Sequence, residues 1–343
     1  MAMKSYKGFD KKLKCRDFQY EIGKEYEMDG EIKVCSRGFH ACESPFDVFD
    51  HYTMIDSRFC EVEQDGNISK EDRGTKICSS KIKIKAELKL ADMINLGVEW
   101  LKEITSPEKI KTSIKDNSSG NGAQIGSSGY DAKIGSSGYD AKIGSSGYDA
   151  QIGSSGNNAK IGSSGNGAKI GSSGYDAKIG SSGYDAKIGS SGYDAKIGSS
   201  GNNAQIGSSG NDAQIGSSGN NAKIGSSGND AKIGSSGDNA QIGSSGNNAQ
   251  IGSSGDGAKI SSSGYGAKID NTGEDCVIMC AGINSVAKAS KGSWITLSEW
   301  SYSDKKQRYI PVCVKTEFVD GKKIKADTYY SLKGGVFVES VNN

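Results

Sequence analysis

Isoleucine recurs at every ninth position from Ile125 to Ile269, seventeen times without a miss. No other property of the chain restricts its fold as strongly. The unit reads Ala-Lys/Gln-Ile-Gly-Ser-Ser-Gly-x-x, as in Ala132 to Asp140. Ala and Ile stand two apart with Lys or Gln between them, and Gly and then Ser continue the alternation. That is the period of a strand with one apolar face. Gly followed by Asn, Asp or Gly then supplies positions that tolerate positive φ and turn the chain. A flexible linker has no use for Ile at a fixed phase.

One nonapeptide cannot bury a core, so the units must stack, Ile on Ile and Ala on Ala, with backbone bonds between coils about 4.8 Å apart. Two units per coil give about nine coils and a rod near 40 Å; three give about six coils and roughly 27 Å. The narrow core offered by one Ile and one Ala per unit favours two, and a right-handed wind is the default. The phase persists with altered residues through Asp270–Ile278 and Met279–Ala287, and Asn117–Gly122 joins it at the other end. Such drift suits the terminal coils of a stacked array. The expected fold is therefore mainly β: a right-handed β-solenoid of nonapeptide repeats over 113–292, an N-terminal α+β capping domain over 1–112, and a C-terminal β meander over 293–343.

In the N-terminal part, Phe18–Glu21, Ile32–Cys35, Arg58–Glu63 and Lys81–Lys85 read as strands. Ser44-Pro45 opens a helix through Tyr52. A second helix runs from about Leu90 to Ile104, with Leu90, Ile94, Val98, Leu101 and Ile104 on one face, placed to cover the first coil. Near the C-terminus, Ser293–Leu297 is a strand. Val312–Phe318 and Lys323–Tyr329 flank Asp320-Gly321 as a hairpin, and Gly334-Gly335 turns into Val336–Val338.

Lys+Arg (42) nearly balances Asp+Glu (41). That balance argues against a nucleic-acid binder, which needs a basic surplus, and against an acidic mimic of one. The eight cysteines form no regular framework, the N-terminus has no signal-peptide core, and no apolar run reaches membrane length. Together these features lead us to expect a reduced protein of the host cytoplasm, with the virion as the alternative.

Tyr6–Lys11, Cys15-Arg16, Phe18–Glu21, Gly38–Glu43 and Arg58–Glu63 resemble the N-terminal domain of uncharacterised phage and prophage proteins that continue into short Gly-rich repeats. The resemblance implies a phage or prophage origin and brings no catalytic residues with it.

Several residue sets invite chemistry. Asp131, Asp140, Asp149, Asp176, Asp185, Asp194, Asp212 and Asp230 occupy the slot that ligates Ca²⁺ in β-roll repeats. Asn or Gly fills the remaining units, and Lys follows many of these Asp, so turn-forming Asx is the better reading. Cys35, His40, Cys42 and Cys60 carry Cys₃His ligand chemistry without a usual zinc spacing. Tyr6-Lys7-Gly8, Gly38-Phe39-His40 and Glu61-Val62-Glu63 come in an order similar to the strands of ADP-ribosyltransferases. Lys7, however, stands where Arg or His is expected, and no Ser-Thr-Ser follows. Ranks of Ser suit ice binding, but Lys occupies the neighbouring strand face. Tyr130, Tyr139 and Tyr148, then Tyr175, Tyr184 and Tyr193, form two blocks of three, which as stacked corners make strips for a protein or glycan partner; the alternative is a duplication that copied tolerated tyrosines. The leading expectation is a non-enzymatic binding or scaffold protein engaging a host or virion protein, with no metal, cofactor or membrane. The rivals are a head-domain enzyme with the solenoid as spacer, and a calcium-binding β-roll.

Overall fold

The computed structural model describes residues 2–54, 57–71, 74–105, 117–118 and 120–340. The boundary drawn between 112 and 113, and Ser119 of the first degenerate unit, lie outside the described residues.

The repeats wind at two per coil. Each strand pairs in parallel with the strand eighteen residues on, Ile134 with Ile152 and Ile143 with Ile161, so odd and even units build two separate sheets. About ten turns cover residues 124–297. Along Lys187–Ser190 the pattern is Lys out, Ile in, Gly out, Ser in. The isoleucines of both sheets meet in one continuous apolar spine with the alanines that precede the first sheet's strands, Ala150 to Ala258, each buried Ile contributing about 1.5–3 kcal/mol. Between coils the Lys187 N–H donates to the Ala168 carbonyl at 2.8 Å and the Ser191 N–H to the Ser172 carbonyl at 3.0 Å.

Two different demands set the corner residues. The last residue of the unit has positive φ, between 52° and 59° at every Asp and Asn there, and Asx and Gly are the residues that accept this conformation. The corner Gly does not need positive φ. It is required because a Cβ at Gly192 would strike the carbonyl of Gly174 one coil below, and Gly147 and Gly201 stand in the same relation to Gly129 and Gly183. The residue after this Gly, when Asn, accepts a bond from the coil above: the Asn202 Oδ1 takes the Asn220 N–H at 2.9 Å.

The C-terminal region extends both sheets. Trp294–Ser303 joins the first sheet in parallel with Val277–Cys280, then folds back on Arg308–Phe318. Tyr330–Lys333 joins the second sheet and turns through Gly334-Gly335 into Val336–Glu339. The expected strand over Lys323–Tyr329 is absent. The Asp320 Oδ1 captures the N–H groups of Lys322, Lys323 and Ile324, which takes them from any ladder.

The head holds seven strands, β1 (Met3–Phe9), β2 (Lys14–Cys15), β3 (Phe18–Gln19), β4 (Glu25–Glu27), β5 (Phe39–Cys42), β6 (Arg58–Lys70) and β7 (Lys76–Leu88), followed by helix α1 (Leu90–Ile104). The order β4-β7-β5-β1-β6, with β6 also pairing β7, closes the sheet on itself around Phe9, Val62, Ile82 and Ile84. Ile32–Cys35 makes a turn with one bridge, Lys33 to Arg37, because Cys35 takes a φ of +63°. The segment after Ser44 is a 3-10 helix, Pro45–Asp50. Helix α1 has the expected bounds. Its start is fixed by the Asp92 carboxylate, which accepts the Lys89 N–H at 2.9 Å. Its position differs from the expectation: α1 does not sit over the end of the rod but lies along its side.

Candidate functional site

The glycine in the middle of each strand points outward, so each sheet carries a furrow with a glycine floor, one residue per coil. On the second sheet this floor is occupied by the head. Leu90 lies over Gly216, Ile94 over Gly198, Phe46 of the 3-10 helix over Gly180, Leu101 over Gly162, and Thr105 over Gly144 and Gly126. The order is collinear because the two rises nearly match, 5.4 Å for a helical turn and about 4.8 Å for a coil. One turn of α1 therefore advances about one glycine.

A row of Lys and Gln runs beside the floor, and the head meets it with carboxylates. The Asp47 Oδ2 lies 2.9 Å from Lys160 Nζ and its Oδ1 2.9 Å from Lys178 Nζ; the Asp50 Oδ2 lies 2.6 Å from Lys178 Nζ and its Oδ1 3.1 Å from Lys196 Nζ. The Thr75 hydroxyl adds a bond to Asp47 at 2.6 Å. Burial pushes the Asp47 carboxyl up, but Lys178, Lys160 and Thr75 outweigh it and hold it at about 2. Burial likewise opposes the charge on Lys178, and Asp47 and Asp50 raise it in net.

The first sheet carries the same furrow, open. No heavy atom stands within 4 Å of a Cβ placed at Gly153, Gly171, Gly189, Gly207 or Gly225. With the Lys and Gln row beside it, the floor lines a trough of about 1420 Å³ running from Lys133 to Met279.

The tyrosine blocks are divided by the two-unit coil. Tyr130, Tyr148 and Tyr184 lie along one edge of the rod, and Tyr139, Tyr175 and Tyr193 along the other, because corners eighteen apart stack. Two ring pairs form, Tyr130 on Tyr148 and Tyr175 on Tyr193, each with centroids 5.4 Å apart and nearly parallel planes. The structure thus makes strips of two where blocks of three were expected. The corner aspartates divide in the same way: Asp140, Asp176, Asp194, Asp212 and Asp230 on one edge, Asp131, Asp149 and Asp185 on the other. Among the described residues no three Asp, Glu, His or Cys groups converge as a metal site.

The head has its own cavity, about 970 Å³, lined among others by Lys7, Cys15, His40, His51 and Tyr52. Lys7 is buried, and its ammonium donates to the His40 carbonyl at 2.9 Å and to the Cys15 Sγ at 3.5 Å, 5.3 Å from the Phe9 ring centre. The Tyr52 hydroxyl donates to the same sulfur at 3.1 Å. Burial lowers the Lys7 pKa, with Cys15 opposing. Among the described residues no carboxylate pairs with Lys7. The four zinc-type residues do not assemble: Cys42 packs with Phe46 and Phe59 outside the closed sheet, Cys60 with Phe9 and Val62 inside it, and His40 Nε2 accepts the exposed Cys35 N–H at 3.0 Å. Glu61 pairs with Lys4 at 2.8 Å and does not line the cavity that holds Lys7 and His40.

The sequence reading missed the docked furrow. The available signal was Gly at an outward strand position, where β-propensity disfavours it unless another backbone or ligand comes close.

Residues 3–96 match the family model of a domain of unknown function, DUF7666. No curated protein and no solved structure matches the chain.

Proposed function

We propose that the chain is a non-enzymatic scaffold whose solenoid is a docking rod with two working faces, one holding its own head and the other holding a partner protein. One observation carries this reading: the furrow that receives Phe46, Ile94, Leu101 and the two aspartates is repeated with the same residue types on the opposite sheet, where it is open. The head motifs resemble phage and prophage proteins, which supports a host or virion protein as the partner and the host cytoplasm as the place of action. The test recovers proteins from a lysate of the cells that carry the gene. Wild type is compared with Gly189→Leu, which fills the open floor, and with Tyr193→Ala, which alters an edge. Loss of a recovered protein in Gly189→Leu alone supports the reading; identical recovery by all three contradicts it.

The Lys7 cavity favours a second reading, a head that binds a small molecule or acts on one, with the solenoid as spacer. Without Glu61 at that cavity, the ADP-ribosyltransferase version lacks its carboxylate. An assay of NAD turnover by wild type and Lys7→Met separates the two readings. Turnover that Lys7→Met abolishes favours the enzyme, and absence of turnover in wild type removes that version of it.

A further inference from the structure

We infer that the open furrow takes an amphipathic α-helix of about four turns, lying along the rod axis, with apolar side chains over the glycines and carboxylates toward Lys169 and Lys187. This rests on the reading of the open furrow as a partner site and specifies the partner's chemistry.

Three observations carry it. First, the opposite furrow already holds such a helix. From Leu90 over Gly216 to Thr105 over Gly144, fifteen residues of rise, about 22 Å, span four coils, about 19 Å. A helix is thus commensurate with a glycine floor at one turn per coil, and a shallow tilt absorbs the difference. An extended strand, rising about 3.3 Å per residue, would bring residues to the floor at a spacing unrelated to the coils.

Second, nothing in the coil itself demands Gly at these positions. The corner glycines are required by the carbonyl below them, and those of the occupied floor by the head, but those from Gly153 to Gly225 face no atom within 4 Å. Where the sheets leave the repeat, the same outward position accepts Ser261 and Met279, and Asp270 on the other sheet. Duplication of the unit would also copy Gly to both faces, so the decisive readout is binding.

Third, the charge is complementary. The head presents two aspartates to three consecutive lysines, Lys160, Lys178 and Lys196. Beside the open floor, Lys169 and Lys187 are adjacent, followed by Gln205 and Lys223. Lysine rows set against each other repel, which disfavours a second copy of the chain seated face to face on this furrow.

The probe is a fluorescent fifteen-residue peptide with the Leu90–Ile104 sequence, locked as a helix on its solvent side and carrying two added aspartates flanking the apolar stripe. It is titrated into the full chain beside a scrambled peptide and a fifteen-nucleotide single-stranded DNA. Circular dichroism first establishes that each variant keeps the solenoid. Saturable binding of the helix alone, weakened at least tenfold by Gly189→Leu and by Lys169→Glu/Lys187→Glu but not by Tyr193→Ala, is the expected result. No helix binding, or binding that ignores Gly189→Leu, overturns the inference. So does binding of the DNA that only charge reversal removes, because the furrow then reads anions. Failure here leaves the partner-site reading standing if Gly189→Leu still abolishes recovery of a lysate protein; loss of both signals removes both.

Discussion

Lys178 Nζ lies 2.9 Å from Asp47 Oδ1, joining a repeat in the middle of the rod to a 3-10 turn 131 residues earlier. Chemically identical coils offer an apolar helix many equivalent seats. A buried carboxylate that must meet particular ammonium groups narrows the choice. A shift of one coil toward the C-terminal end would set Asp50 against Gln214, and of two coils the other way would set Asp47 against Gln124, so only one neighbouring seat, with Lys142 in place of Lys196, keeps lysines under both. The ion pairs therefore act on register, a role for which buried charges are better suited than for net stability.

That role has a pH signature. Asp47 is held at about 2 when folded, against an ordinary value of 3.8. A carboxyl depressed by folding contributes stability that is complete above its unfolded pKa and is lost as pH falls through the folded one. The stability difference between wild type and Asp47→Asn should be constant above about pH 4, reach about 2 kcal/mol, and close toward pH 2. Urea unfolding of both proteins across pH 2–6 measures it.

Three glycine substitutions should give three outcomes. Gly192→Ala drives a methyl into the Gly174 carbonyl and should cost about 3 kcal/mol or more. Gly180→Ala meets the Phe46 ring and should cost about 1–2 kcal/mol, with faster hydrogen exchange confined to α1 and its neighbours. Gly189→Ala meets nothing and should stay within about 0.5 kcal/mol of wild type. Thermal unfolding with exchange mass spectrometry distinguishes them.

Much of this was legible in the sequence, and each failure has a physical cause. The Ile period announces the stack because only a repeated coil needs an apolar residue at constant phase, and one Ile with one Ala makes a core thin enough for two units. The 3.6-residue stripe of α1 marked its ends. Where that stripe would pack was not legible, because an outward Gly in a strand looks like filler until something lies on it. The tyrosine blocks misled because proximity in sequence means opposite edges once coils hold eighteen residues. Lys323–Tyr329 alternates like a strand, but a single Asp320 carboxylate decides the backbone there.

The corner aspartates serve backbone geometry. Asp185 sits at φ +57°, so Asp185→Asn or Asp185→Gly should be nearly neutral, while Asp185→Ala should cost about 1–2 kcal/mol. Melting temperature with calcium and with chelator should be the same. A rise with calcium that Asp176→Asn/Asp194→Asn removes would return the β-roll reading.

The inward serines are the least economical part of the rod. The hydroxyls of Ser199 and Ser217 are fully buried with no hydrogen-bond partner among the described residues. Replacing an unsatisfied hydroxyl by Ala removes a desolvation cost. Ser199→Ala and Ser217→Ala should be neutral or stabilising by up to about 1 kcal/mol, read by urea unfolding. A loss beyond 1 kcal/mol would mean that the hydroxyls are bonded.

The most direct measurement is a double-mutant cycle between Asp47 and Lys178, because the account depends on the lysine row reading carboxylates laid along a glycine floor. Asp47→Asn, Lys178→Gln and the pair together would be unfolded in urea at pH 7. Coupling of about 2 kcal/mol, with each single variant also accelerating exchange in α1, is the predicted result. Additivity within about 0.5 kcal/mol, with α1 exchanging as in wild type, would contradict the account.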